Sequence, residues 1–163
     1  MEIIFNELND DGFIYQYADF YVNDVAYTIS FTYAVEGSLD FDEVISRLTR
    51  GKHTYTVEFS LSEIFYDDHY QGELYSAPKN YHLTKSKYQN LKEVLFSLIF
   101  RHYQRYNPDC YFIVADRLSL QKMYRQMCNS PSEALRNFKA ILGLGLNGEC
   151  FLILTPNYKN YQE

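Results

Sequence analysis

The stretch Val25-Ala-Tyr-Thr-Ile-Ser-Phe-Thr-Tyr-Ala-Val35 decides the class of fold. Val25, Tyr27, Ile29, Phe31, Tyr33 and Val35 alternate with Ala26, Thr28, Ser30, Thr32 and Ala34. A period of two built from β-branched and aromatic residues is the pattern of a strand, because successive side chains leave a pleated backbone on opposite faces. The large residues supply a core face. The opposite face, small and hydroxylated, either accepts a packed helix or stays wet.

Working upstream, Asn23-Asp24 is a tight turn, and Phe13 to Val22 is the strand before it. Asn9-Asp10-Asp11-Gly12 supplies another turn, with Asp11-Gly12 suited to positive φ. Ile3 to Leu8 then reads as the first strand. Downstream, Glu36-Gly37-Ser38 breaks the pattern. Phe41, Val44, Ile45 and Leu48 have helical spacing, so Asp40 to Leu48 is predicted as a short helix with Gly51 at its stop. His53 to Leu61 alternates again and makes a fourth strand. The first 61 residues are therefore an antiparallel meander.

The period then changes. Residues 62 to 83 are irregular and rich in Tyr, Asp and His, with a short helix predicted from Ser62 to Tyr66. Ser86 to Tyr106 is a long amphipathic helix: Tyr88, Leu91, Leu95, Leu98, Ile99 and His102 form the inner stripe, while Lys87, Lys92, Arg101 and Arg105 lie off it. Asn107-Pro108-Asp109 stops it. Cys110 to Ala115 is an apolar run, as in a strand buried on both faces. Asp116 caps a helix through Met127. Ser130-Pro131-Ser132-Glu133 has the form of a capping box and predicts a further helix through Leu135, Phe138, Ile141 and Leu142 to Gly143. Glu149 to Thr155 is the last strand. The prediction is an α+β fold over residues 1–163 as a single domain: a mostly antiparallel sheet with about three helices packed on it, mainly from the C-terminal half.

Composition sets outer limits. A chain of 163 residues with 47% hydrophobic and 22% charged residues has the mix of a globular protein. It holds 17 Tyr and 12 Phe but no Trp. The amino terminus lacks the basic and apolar regions of a signal peptide, and no apolar run is long enough to span a bilayer. Cys110, Cys128 and Cys150 read as free buried thiols, which suits a reducing cytoplasm. Charge is divided unevenly. Residues 1–75 hold 15 acidic and 3 basic side chains, a net of −12, whereas residues 76–163 hold 12 basic and 6 acidic ones, a net of +6. The halves either steer separate partners or pack together and partly neutralise each other.

The letters Gly143-Leu-Gly-Leu-Asn-Gly148 match the dinucleotide fingerprint, but that motif needs a strand before it and a helix after it. The predicted order is helix then strand, so a flexible connection is the better reading. Asp67-Asp68-His69, with Glu63, Glu73 and His82 nearby, offers metal ligands, yet adjacent residues on an extended chain point apart. A solvated acidic loop is expected. His102 is expected to be a satisfied, partly buried histidine, and no nucleophile–base pair is legible from spacing. Arg101, Arg105, Arg117, Lys122, Arg125, Arg136 and Lys139 form a basic cluster, interleaved with Tyr103, Tyr106 and Tyr124, that would suit phosphate or single-stranded nucleic acid if the faces converge.

The passage from Asn107 to Arg125, Asn-Pro-Asp-Cys-Tyr-Phe-Ile-Val-Ala-Asp-Arg-Leu-Ser-Leu-Gln-Lys-Met-Tyr-Arg, follows a long helix and a Tyr-rich sheet. In this layout, residues 13 to 128 resemble several small bacterial families of unknown function. The resemblance implies a bacterial or phage-borne accessory protein and assigns no role to Asp116, Arg117 or Arg125. The order meander, helix, strand, helix, strand is also similar to that of the GCN5-related acetyltransferases, which would imply acyl-CoA binding at a glycine-containing strand-to-helix loop. The matching junction, Val114-Ala115-Asp116-Arg117, has no glycine and puts a carboxylate where phosphate would sit.

The leading expectation is a non-enzymatic interaction module that binds a protein partner through its acidic, Tyr-rich half, with Asp10, Asp11, Asp19, Asp24, Asp67 and Asp68 as contacts. Tyr is enriched at interface hot spots, and an acidic surface attracts basic partners. The alternatives are nucleic-acid or phosphate binding by Arg101, Arg105, Arg117, Lys122 and Arg125, or an acetyltransferase-like enzyme. No catalytic residue, cofactor, metal or membrane partner is predicted.

Overall fold

The computed structural model describes residues 3–67, 85–115, 121–122, 125 and 135–159. The strands β1 (Asn6–Asp10), β2 (Phe13–Val22), β3 (Val25–Tyr33), β4 (Thr54–Leu61), β5 (Cys110–Val114), β6 (Lys139–Leu144) and β7 (Cys150–Leu154) form one sheet in the order β1-β2-β3-β4-β5-β7-β6. β4 and β5 are parallel, and every other pairing is antiparallel. The helices that lie wholly within the described residues are α1 (Glu43–Thr49), α2 (Ser62–Phe65) and α3 (Lys85–Tyr106). This is the expected α+β fold. α1 and α2 come from the first half of the chain and α3 from the second.

Both predicted tight turns are present. Asp11 and Gly12 have φ of 50° and 84°, and Asn23 and Asp24 have φ of 49° and 69°. Positive φ at both central residues defines the hairpin turn whose twist matches the flanking strands. Closure at Asp11-Gly12 pairs Asp10 with Phe13, so the first strand runs Asn6–Asp10 rather than Ile3–Leu8.

Two clusters build the core on opposite faces of the sheet. Ala18, Phe20, Ile29, Phe31, Val57, Tyr111, Ile113 and Phe151 meet Leu91, Leu95, Leu98 and Ile99 of α3. Burial of each large apolar side chain contributes roughly 1.5–3 kcal/mol, so this layer dominates the stability. Leu39, Ile45, Cys110, Phe112, Cys150 and Leu152 form the second cluster, with Ile45 supplied by α1. The side chain of Asp42 caps that helix by accepting from Ile45 N at 3.0 Å. The small face of β3 is not wet: Thr28 and Ser30 are 1% and 2% exposed.

Three expectations change. From Lys139 on, the predicted helix ending at Gly143 is instead the strand β6, with Ala140 opposite Ile153 and Ile141 opposite Leu152. Leu135, Phe138, Ile141 and Leu142 fit helical spacing, but the buried strand β7 needs a partner for its outer backbone groups, and that demand wins. The glycine motif consequently follows a strand, and Gly143, Gly145 and Gly148, all at positive φ, form a bulged hairpin turn. Lys92, expected off the inner stripe of α3, is only 8% exposed. The capping box at 130–133, the Asp116 helix start and most of the 62–83 loop, Asp68 included, lie outside the described residues, although Gln121, Lys122 and Arg125 are helical. No helix among the described residues is long and apolar enough to cross a membrane.

Candidate interaction face

Alternation along β2 sends Gln16, Ala18 and Phe20 towards α3 and sends Phe13, Tyr15, Tyr17, Asp19 and Tyr21 to the opposite face. The outward aromatic rings touch in series. Phe13 stacks on Tyr15 at 5.7 Å between centroids, Tyr15 lies 5.6 Å from Tyr17, and Tyr17 lies 5.8 Å from Phe65 of α2. Phe65 then meets Tyr66 edge-on at 5.0 Å. Each such pair contributes about 0.5–1.5 kcal/mol beyond the area it buries, so the rings form a pre-arranged ladder rather than a set of loose side chains. Its rim is open. Phe13, Tyr21 and Tyr66 are 49%, 64% and 52% exposed, and Leu8, opposite Tyr15 in register, is 49% exposed.

Carboxylates surround these rings. Asp10 stands opposite Phe13, and Glu58 shares a row with Tyr17 and Ser30. On this face β1 to β4 carry Asp10, Asp19 and Glu58 and neither Lys nor Arg, whereas Glu7, opposite Gln16, lies on the α3 side. Burial pushes the Tyr15 phenol up to about 12, with the Ser30 hydroxyl acting the other way. Burial and then the Asp19 carboxylate push Tyr66 up to about 12. These phenols stay neutral at physiological pH and act as hydrogen-bonding groups.

The predicted acidic contacts occupy different situations. Asp10 is exposed at the end of β1, and Asp11 and Asp24 sit exposed in the two turns. Asp19 is committed to the fold: its carboxylate accepts from Thr28 Oγ1 at 2.7 Å and from Tyr66 Oη at 2.9 Å. Asp67 is exposed just past α2, and Asp68 lies outside the described residues. Asp10 and Asp11 therefore flank the Phe13 end of the ladder, while Asp19 and Asp67 lie towards the α2 end.

Within the predicted basic cluster, Arg105 is drawn onto the first strand of the sheet. Arg105 of α3 makes an ion pair with Glu7 of β1 at 3.2 Å and lies 5.3 Å from the centre of the Tyr106 ring. Tyr106 also donates to Glu7. Here the acidic and basic halves neutralise each other. Arg101 is half-buried, Lys122, Arg125, Arg136 and Lys139 are exposed, and Arg117 lies outside the described residues.

His102 is a fully buried core histidine. Its Nε2 lies 2.8 Å from Gln16 Oε1 and its Nδ1 lies 2.8 Å from Tyr111 Oη. An amide oxygen only accepts, so Nε2 carries the proton and Nδ1 accepts from Tyr111. Burial, with a lesser push from His53, lowers its pKa to about 3. The ring is neutral and fully engaged, which suits it to packing rather than proton transfer. Among the described residues no group of three His, Cys, Asp or Glu gathers to hold a metal.

Sequence reasoning missed a polar cleft of about 460 Å³ at the end of the sheet where β3 finishes and β4 begins. Its lining includes Tyr33, Asp40, Ser46, Arg50, His53 and Asp109. The polar groups are largely turned to one another. Ser46 donates to Asp40 at 2.6 Å, and Asp109 accepts from His53 N at 2.7 Å. Arg50 reaches Ser46 Oγ at 3.4 Å. No periodic signal marks this cleft, because its lining comes from the connections either side of α1, with Asp109 added from far downstream.

No protein family, no curated protein and no solved structure matches the chain. The functional reading therefore rests on this geometry.

Proposed function

We propose that this chain is a cytoplasmic protein-interaction module that docks a basic segment of a partner protein on the ladder running from Phe13 to Tyr66. The observation that carries the reading is the open ring series on β2 and α2, set among carboxylates on strands free of lysine and arginine. Neutral phenols and phenyl rings give a partner large contact area at little cost in conformational entropy, and their faces attract cations. The acidic rim raises the encounter rate with a basic partner and makes it dependent on salt.

The test is a native pull-down from the source cell with nuclease present, using the wild-type chain and a Phe13→Ala/Tyr21→Ala variant as bait. Both positions are exposed, so the variant keeps the fold. One stoichiometric protein, retained after nuclease and lost with the variant, is the expected result. Recovery that depends on nucleic acid, or that the variant leaves unchanged, would overturn the reading.

A further inference from the structure

The sheet ends on two edges of different kinds. β6 is bulged between Ile141 and Leu144, begins with exposed Lys139 and closes on a turn of left-handed glycines. Bulges and lysines keep an edge from accepting another strand. β1 is a regular five-residue strand with every side chain exposed, and it has no bulge, proline or lysine.

Hydrogen-bond parity shows which backbone groups of β1 are open. A two-residue turn with positive φ at both positions makes the flanking pair, Asp10 and Phe13, a hydrogen-bonded pair. Leu8 with Tyr15 and Asn6 with Tyr17 follow at every second residue. The N–H and C=O groups of Glu7 and Asn9 therefore point away from β2. No backbone partner for them occurs among the described residues.

We propose that β1 pairs with β1 of a second copy of this chain, antiparallel about a two-fold axis at Leu8, joining the two sheets into one. In this register Glu7 lies opposite the second copy's Asn9, and these are the residues whose backbone groups point outwards. Each of the two equivalent pairs exchanges both of its N–H···O bonds. Leu8 meets Leu8 across the axis, and Asn6 lies opposite Asp10. Every carboxylate thus faces a neutral carboxamide rather than a like charge. A slide that centres the axis on Glu7 would set the two Glu7 carboxylates directly opposite, which is unfavourable. A slide centred on Asn9 would put Leu8 opposite Asp10 and shorten the overlap. Parity forbids the one-residue slides between them. A basic peptide would gain less at this edge, because Glu7 is already engaged by Arg105 and Tyr106. The pairing stands independently of what the aromatic ladder binds.

The test is sedimentation equilibrium of the full chain over a wide concentration range, repeated with Asn9→Pro and Leu8→Lys. Proline at position 9 removes an outward N–H and leaves the β1–β2 ladder intact, as expected of proline on an edge strand. Leu8→Lys places like charges across the axis at an exposed site. The expected result is a reversible monomer–dimer equilibrium, weakened about tenfold or more by each variant. Circular dichroism should stay unchanged. A wild-type chain that is monomeric throughout would overturn the proposal, as would a dimer that neither variant weakens. So would a monomer that binds an oligolysine peptide in an Asn9-dependent manner, which would assign the edge to a basic strand instead.

Discussion

Tyr66 donates its phenolic proton to the Asp19 carboxylate at 2.9 Å, which fastens α2 to the strand that carries the aromatic ladder. Thr28 donates to the same carboxylate at 2.7 Å and lies 2.8 Å from the hydroxyl of Ser62. Asp19 is thus a joint between β2, β3 and α2 before it is a contact for any partner. Asp19→Ala should destabilise the chain by about 1–3 kcal/mol, because it removes an ionised acceptor and leaves buried Thr28 without that partner. Tyr66→Phe should cost less than about 1 kcal/mol, since Tyr66 is half exposed. Urea denaturation checks both.

The same pair predicts a titration. Tyr66 ionises near pH 12, for reasons of burial first and Asp19 second. Asp19→Asn removes the neighbouring charge and should move that ionisation down towards the usual tyrosine value of about 10. The difference in ultraviolet titration between each background and its Tyr66→Phe derivative isolates this phenol from the others.

His102 predicts a dependence of stability on acid. Its folded pKa is about 3, whereas an unfolded histidine titrates near 6.5. Between these values the unfolded chain binds the extra proton, so stability rises with pH. The contribution is fully present above about pH 6.5 and is lost as pH falls towards 3, at up to about 1.4 kcal/mol per pH unit. His102→Gln keeps a polar side chain beside Gln16 and Tyr111 but cannot take up the proton. Denaturation midpoints measured from pH 7 to pH 4 should therefore fall less steeply in that variant than in the wild type.

The β6–β7 turn separates backbone strain from steric conflict. Gly143 and Gly145 both have left-handed φ, 70° and 86°. A Cβ at Gly143 would meet nothing within 4 Å, whereas one at Gly145 would lie 2.9 Å from Cys150 Sγ and 2.9 Å from Glu149 Oε1. Gly143→Ala should cost roughly 1–2 kcal/mol from the backbone alone. Gly145→Ala should cost more, because buried Cys150 must also shift. Thermal unfolding of the two variants side by side checks the order.

Much of the sheet was legible because its signal is local. β2 was predicted at its observed bounds, and β3 and β4 within two residues, since alternation and turn residues declare themselves over short windows. β6 was hidden. Its apolar residues permit helical spacing, and only β7, a distant element, makes it a strand. The site divides in the same way. The Phe13, Tyr15 and Tyr17 series can be read from alternation, but its continuation to Phe65 cannot. The role of Asp19 depends on Thr28 and Tyr66, nine and 47 positions away. Counts of charge likewise gave no hint that Arg105 is turned onto Glu7.

The most direct test of the proposed docking face is hydroxyl-radical footprinting of the chain, alone and bound to the partner captured in the pull-down. Oxidation of Phe13, Tyr21 and Tyr66 is predicted to fall on binding, with Tyr103 of α3 unchanged. Protection of Tyr103 with Phe13, Tyr21 and Tyr66 left as reactive as before would contradict the account and move the binding surface to the helical side of the sheet.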